Sequence, residues 1–263
     1  MSRSTSLSPS VIVTRLRAAG CVFAEDEAEL LLSAARDPAH LRAMVDRRID
    51  GLPLEHVFGW AEFRGRRIAV DPGVFVPRRR TEFLVEQAVA LAPSRAVVVD
   101  LCCGSGALGA ALAVSLERVE LHASDVDPAA VRCARRNVTA VGGQVYEGDL
   151  YAPLPAATLR GRVDVLLANV PYVPTGEIEL LPPEARIHEA RVALDGGADG
   201  LDVLRRVTAQ AARWLAPGGH LLFETSERQA PQAVETVARG GLVPRVVTCD
   251  ELYATVVIGT RGK

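Results

Sequence analysis

The spacing of apolar residues changes character twice along the chain. Before about residue 50 it is helical. Ser8-Pro9 reads as a helix start followed by Val11, Val13, Leu16 and Ala19, and a second helix runs through Glu27, Leu30, Leu31 and Ala34. Asp37-Pro38 opens a third that carries Leu41, Met44 and Val45. Three short helices bury little alone, so they are expected to pack on the rest of the chain or to present a face to a partner. Between residues 54 and 76 the apolar residues fall in short β-like runs punctuated by Gly51, Gly59, Gly65 and Gly73, which predicts a hairpin linker.

From about residue 81 the two periods alternate. A helix over 81–91 precedes a strand at 96–101; a glycine loop, a helix through Val114, a strand at 119–123 and a helix over 127–140 follow. Further strands fit 144–147, 163–168, 220–224, 244–248 and 253–258, with helices near 200–215 and 227–239. This alternation predicts an α/β fold, a mostly parallel sheet covered by helices on both faces. Only Cys249 to Leu252 separate the last two strands, too few for a parallel crossover, so that pair should be an antiparallel hairpin. The chain thus divides into residues 1–50, 51–80 and 81–263.

Composition narrows the class. With 263 residues, 49% hydrophobic and 24% charged, the chain folds as one large domain or two unequal ones rather than staying disordered. The longest stretch without a polar side chain, Gly106 to Val114, is far short of the ~20 residues a spanning helix needs. Behind Arg3, Val11 to Val13 are too short an apolar core for a secretory signal. The net charge of −2 does not describe a nucleic-acid-binding polycation, although six arginines (64, 66, 67, 78, 79 and 80) face only Asp71 between residues 64 and 80. A solvated surface is the plain reading of that stretch. The five cysteines form no C-x-x-C pair and no metal-ligand spacing, which predicts reduced thiols, no metal and a soluble cytoplasmic chain.

Candidate chemistry lies at the ends of the predicted strands. Gly104-Ser105-Gly106-Ala107-Leu108-Gly109 matches G-x-G-x-x-G, a weak signal that a dinucleotide dehydrogenase would share. Here, however, Asp100-Leu101-Cys102-Cys103 stand before the first glycine. An acid placed there suits a ligand with a cationic amino-acid end, and Gly104 and Gly106 would let the backbone approach it. Asp125 ends the next strand, where a carboxylate can accept both hydroxyls of a ribose; Asp127, before Pro128, reads as a helix cap. The strand at 163–168 delivers Asn169-Val170-Pro171-Tyr172. The Asn169 side-chain carbonyl and the Val170 backbone carbonyl are two acceptors suited to one –NH2 group, and Tyr172 can stack on a planar acceptor. A structural turn is the alternative at this point.

These residues, with Pro53 to Gly59, Val70 to Arg78, Thr81-Glu82, Gly148-Asp149-Leu150, Leu194 to Leu201 and Pro217-Gly218-Gly219, resemble the class I S-adenosylmethionine-dependent methyltransferases. Within them the chain looks like the HemK-like protein-(glutamine-N5) methyltransferases that modify peptide chain release factors. The resemblance implies a Rossmann-like sheet over 81–263, a β-hairpin linker over 51–80 and a substrate-recognition region over 1–50. It implies S-adenosylmethionine held by Asp100, Cys102, Gly104, Gly106, Asp125, Val126, Asp149, Leu150 and Asn169. Asn169, Val170, Pro171 and Tyr172 would hold the target amide, and Pro77, Arg78 and Thr81 would meet the substrate.

Three positions depart from the family's pattern. Asn-Val-Pro-Tyr stands for Asn-Pro-Pro-Tyr, which keeps the backbone carbonyl and loses proline's fixed φ. Cys102-Cys103 replace a common Gly-Thr, and Arg78-Arg79-Arg80-Thr81-Glu82 replaces Arg-Pro-acid-Thr-Glu. The same amine clamp would fit a nucleobase or a small metabolite, with arginines on phosphates in the first case. A non-catalytic cofactor-binding module is the remaining alternative.

Overall fold

Ser8 Oγ accepts the Val11 N–H and starts α1 (Pro9–Ala18), and Asp37 Oδ1 accepts from Ala39 and His40 to start α3 (Pro38–Ile49). With α2 (Ala24–Ala34) between them, these helices enclose an apolar cluster of their own, built on Ile12, Leu16, Leu31, Met44 and Val45. The buried face of α1 is therefore Ile12 and Leu16, four residues apart, rather than Val11, which is exposed; on α2, Ala24, Ala28 and Leu31 face inward and Leu30 outward. Arg48 is buried between Glu27, at 2.7 Å, and Glu184 from a distant segment, also at 2.7 Å. This computed structural model describes residues 7–263; Arg3 lies outside the described residues.

The expected linker opens with a helix, α4 (Leu54–Phe58), closed by Gly59 in the left-handed conformation, so its first apolar run is not a strand. The hairpin follows as β1 (Trp60–Phe63) and β2 (Arg66–Ala69), joined by Arg64-Gly65, both at positive φ as a two-residue type I′ turn requires. Phe63, Ile68, Val70, Val74 and Val76 sink into one face of the main core.

The remainder alternates. It comprises α5 (Glu82–Leu91), β3 (Arg95–Leu101), α6 (Ala107–Ser115), β4 (Arg118–Asp125), α7 (Pro128–Thr139), β5 (Gln144–Glu147), α8 (Ala156–Leu159) and β6 (Val163–Ala168). Then come α9 (Pro183–His188), α10 (Asp202–Trp214), β7 (Leu215–Thr225), α11 (Ala230–Arg239), β8 (Val243–Cys249) and β9 (Ala254–Thr260). The sheet order is β5-β4-β3-β6-β7-β9-β8, parallel through β7. β9 runs antiparallel to both β7 and β8, so the antiparallel strand is inserted next to the edge rather than at it. Alternate residues face opposite layers: Val165, Leu167 and Leu222 pack under α5 to α7, while Leu166, Leu221 and Phe223 pack with α10 and α11. β3 and β6 are neighbours at which successive connections leave to opposite sides of the sheet, the switch point where open α/β sheets bind ligands. No helix among the described residues is long and apolar enough to cross a membrane.

Candidate active site

Strand β3 carries Asp100 to its carboxyl end, 1% exposed, with Oδ2 accepting the Gly109 N–H at 2.9 Å. Burial, and secondarily the nearby Asp125 charge, push the Asp100 carboxyl up to about 7. A cation seated beside it would reverse that shift, which is what the ammonium of an amino-acid-bearing ligand supplies. The loop then turns through Cys102, Gly104 and Gly106, all at positive φ. Gly104 lines the cavity, and a Cβ built there meets nothing within 4 Å, so its backbone stays open to a ligand. Gly106 serves otherwise than expected: it does not line the cavity, and a Cβ there would lie 2.6 Å from Val138 Cγ2. It lets α6 pack on α7. Burial drives the Cys102 and Cys103 thiols up, so both stay protonated and act as neutral wall atoms.

Asp125 closes β4. Its Oδ2 accepts the Gly104 N–H at 2.8 Å and Oδ1 the Asp127 N–H at 2.9 Å, so the carboxylate is oriented by the loop it faces; burial raises it too. Asp127 caps α7 through the Ala129 N–H, as its place before Pro128 predicts. Val126, Asp149 and Leu150 line the same cavity, of about 450 Å³, with Asp149 paired to Arg206.

From β6 come Asn169, Val170, Pro171 and Tyr172, all on the cavity wall. The buried Asn169 Oδ1 has no hydrogen-bond partner among the described residues, a costly state that an N–H of a bound molecule would relieve. Behind this turn stands the glycine-rich run. A Cβ at Gly196 would lie 2.7 Å from the Pro171 carbonyl and one at Gly200 2.3 Å from that of Tyr172. Gly196 N–H donates to Val173, and Gln229 Nε2 to Tyr172. The Asp-Gly-Gly-x-Asp-Gly-Leu stretch is thus a buttress for the Asn169–Tyr172 turn.

Three residues that sequence reasoning left unassigned support this wall: Arg80, which lines it, and the buried acids Glu224 and Glu189 behind it. The Tyr172 hydroxyl donates to Glu224 Oε1 at 2.8 Å and accepts from Arg80 Nη2 at 2.6 Å; Arg80 Nε donates to the same carboxylate oxygen. Thr81, expected against the substrate, does not line the cavity; it is buried and donates to Glu224 Oε2. Pro77 and Arg78 do line it, with Arg78 held by the buried Glu189 at 2.6 Å and lying over the Phe75 ring. The arginine stretch is dispersed rather than gathered into one basic face: Arg67 lies on Trp60, and Arg64 donates to the Glu82 backbone. The segment around α9, which the sequence pattern left unread, covers the cavity with Leu181, Pro182 and Ala185.

Residues 65–200 match the family described as Methyltransferase small domain. The release factor glutamine methyltransferase of Geobacter sulfurreducens is 40% identical over 81% of this chain and 72% of its own length. The 4-amino-L-phenylalanine/4-methylamino-L-phenylalanine methyltransferase of Streptomyces pristinaespiralis is 34% identical over 93% of this chain and 86% of its own. In fold, a methyltransferase from Pyrococcus furiosus superposes with a TM-score of 0.56 at 16% identity, over 84% of this chain and 98% of that one. With a cavity at the sheet's switch point walled by a buried acid and an unpartnered asparagine carbonyl, this chain belongs to the methyltransferase small domain family, among the relatives of the release factor glutamine methyltransferases.

Proposed function

We propose that the chain transfers the methyl group of S-adenosylmethionine to the side-chain amide nitrogen, N5, of a glutamine in a peptide chain release factor. The observation that carries this reading is the buried, unpartnered Asn169 Oδ1 at the carboxyl end of β6. With the Val170 carbonyl it offers two acceptors to one planar –NH2. The name shared by relatives such as that of Geobacter sulfurreducens supports the acceptor.

The methyl donor is S-adenosylmethionine, whose sulfonium supplies an already activated methyl group. The residues present fit it: Asp100 would take the ammonium, Gly104 and Cys102 would leave the loop open beside it, Asp125 and Val126 would receive the ribose, and Asp149 and Leu150 would flank the base. Asn169 and Val170 each accept one N–H and so fix the plane of the acceptor, aiming its lone pair along one line. Tyr172, tied at its hydroxyl, packs against that plane, and Pro171 shapes the turn. Pro77 and Arg78 lie where the acceptor enters. An amide nitrogen is a weak nucleophile, so orientation and exclusion of water carry the reaction, and the proton leaves after transfer. α1 to α3 supply the surface for the protein substrate, and the free thiols suit a reducing cytoplasm. The test is incubation with methyl-labelled S-adenosylmethionine and a purified release factor. One glutamine should gain one methyl by mass spectrometry; an unmodified release factor beside measurable cofactor binding would remove this acceptor.

A second reading is a small aromatic amine as acceptor. The Streptomyces pristinaespiralis relative favours it, because it aligns over 93% of this chain, against 81% for the Geobacter sulfurreducens relative. Val170 in place of the family's proline marks the same turn.

A further inference from the structure

Arg80 stands where two cavities meet. It and Tyr172 line both the cavity that holds Asn169 and a second one, of about 510 Å³, beyond the ends of β7 and the β8–β9 hairpin. One edge of the guanidinium is fixed by Glu224 and Tyr172, at 2.8 and 2.6 Å. Among the described residues no acceptor meets Nη1, and the Arg80 side chain is 47% exposed. A fork held on one edge and open on the other is pre-organised for a carboxylate, with little rotamer freedom left to lose.

The second cavity has a matching character. Thr225 lines it, is 5% exposed, and its Oγ1 is buried without a partner among the described residues. Glu227 and Asp250 stand on the same wall with the hydroxyls of Ser226 and Thr248. Glu224 lines the space too, but its oxygens are taken by Arg80, Thr81 and Tyr172. The open edge of Arg80, the two remaining acids and an unsatisfied hydroxyl complement a zwitterion. The adjoining cavity offers Phe75, Leu181 and Val192 to an aromatic ring.

We infer that Arg80 is a specificity-determining residue that binds the carboxylate of an α-amino-acid acceptor. The acceptor's ammonium lies toward Glu227 and Asp250, and its ring carries an aromatic amine to Asn169. The amine lone pair forms the new C–N bond as the C–S bond breaks, its electron pair returns to sulfur, and the amine proton passes to water. This inference rests on the small-acceptor reading.

The test compares para-aminophenylalanine with its decarboxylated counterpart, para-aminophenethylamine, using the full chain and methyl-labelled S-adenosylmethionine. The amino acid should be preferred in kcat/KM by at least about tenfold, the worth of one charged hydrogen bond. Arg80→Gln should bring the ratio toward one, and Arg80→Lys should retain part of it, so that general damage, which lowers both substrates together, is told apart. Equal use of both amines by the unmodified chain keeps the small-acceptor reading and overturns the role of Arg80. Methylation of neither overturns both.

Discussion

Thr81 Oγ1 lies 2.7 Å from Glu224 Oε2 and Tyr172 OH 2.8 Å from Oε1, so one buried carboxylate ties the entry segment to the acceptor turn. Glu224→Gln removes the charge that orients Arg80 and weakens the hold on the Tyr172 hydroxyl. Acceptor turnover should fall by about one to two orders of magnitude in kcat/KM, as expected for a reacting group displaced by a fraction of an ångström to an ångström. Cofactor affinity, measured by calorimetry, should stay the same; equal loss of both would mean that Glu224 holds the fold rather than Tyr172.

Asn169→Ala removes one of two acceptors for the reacting –NH2. Methyl transfer should fall by roughly 10²–10³, the scale for deleting one preorganised polar contact at a reacting centre. Binding of S-adenosylmethionine should change little, and a parallel collapse of that binding would assign Asn169 to the cofactor instead.

The raised Asp100 has a pH signature. With its folded carboxyl at about 7 and an ordinary unfolded value near 4, the free protein loses stability as pH rises through that window, because ionised Asp100 is buried without a cation. Ligand ammonium needs the ionised form. The thermal shift produced by S-adenosylmethionine should therefore be larger at pH 8 than at pH 5.5, and Asp100→Asn should flatten the difference. A shift independent of pH in the unmodified chain would sink the assignment.

The two loop glycines should separate stability from binding. Gly106→Ala drives a methyl into Val138 and costs about 2–3 kcal/mol or more by denaturant melts, since overpacking adds to backbone strain. Gly104→Ala meets open space, costs only the ~1 kcal/mol of its positive φ, and should lower cofactor affinity instead. Identical profiles for the two would contradict this division.

Cys102, at φ 53, carries a side chain where the backbone favours glycine. Cys102→Gly should raise stability by about 0.5–1 kcal/mol, read as a higher melting midpoint. A lower midpoint would mean that the packing of the thiol outweighs the strain.

Much of this was legible in the sequence, for reasons visible in particular residues. The runs 144–147 and 163–168 are observed with those limits, the second because a buried strand in a parallel sheet is bounded sharply by polar turns, the first, a half-exposed edge strand, because glycines stand on both sides of it. That Asn169 and Asp100 stand on the cavity wall was legible because strand ends at a switch point open onto the crevice of such sheets. Leu54–Phe58 and the segment around α9 were not, since helices of five and six residues are too short to express a period. Glu224 was silent for another reason: an acid at the end of a strand reads as solvated, and its partners Arg80 and Thr81 lie 144 and 143 positions away. Thr81 and Gly106 were correctly noticed but given the wrong neighbours.

The Arg48 guanidinium grips Glu27 of the N-terminal bundle and Glu184 on the segment covering the cavity. Bundle and cover are therefore fastened through one buried cation. The first helices of the chain and the roof of the cavity share one joint, and removing the guanidinium at position 48 would leave two carboxylates, one on each side of it, without their common counter-charge.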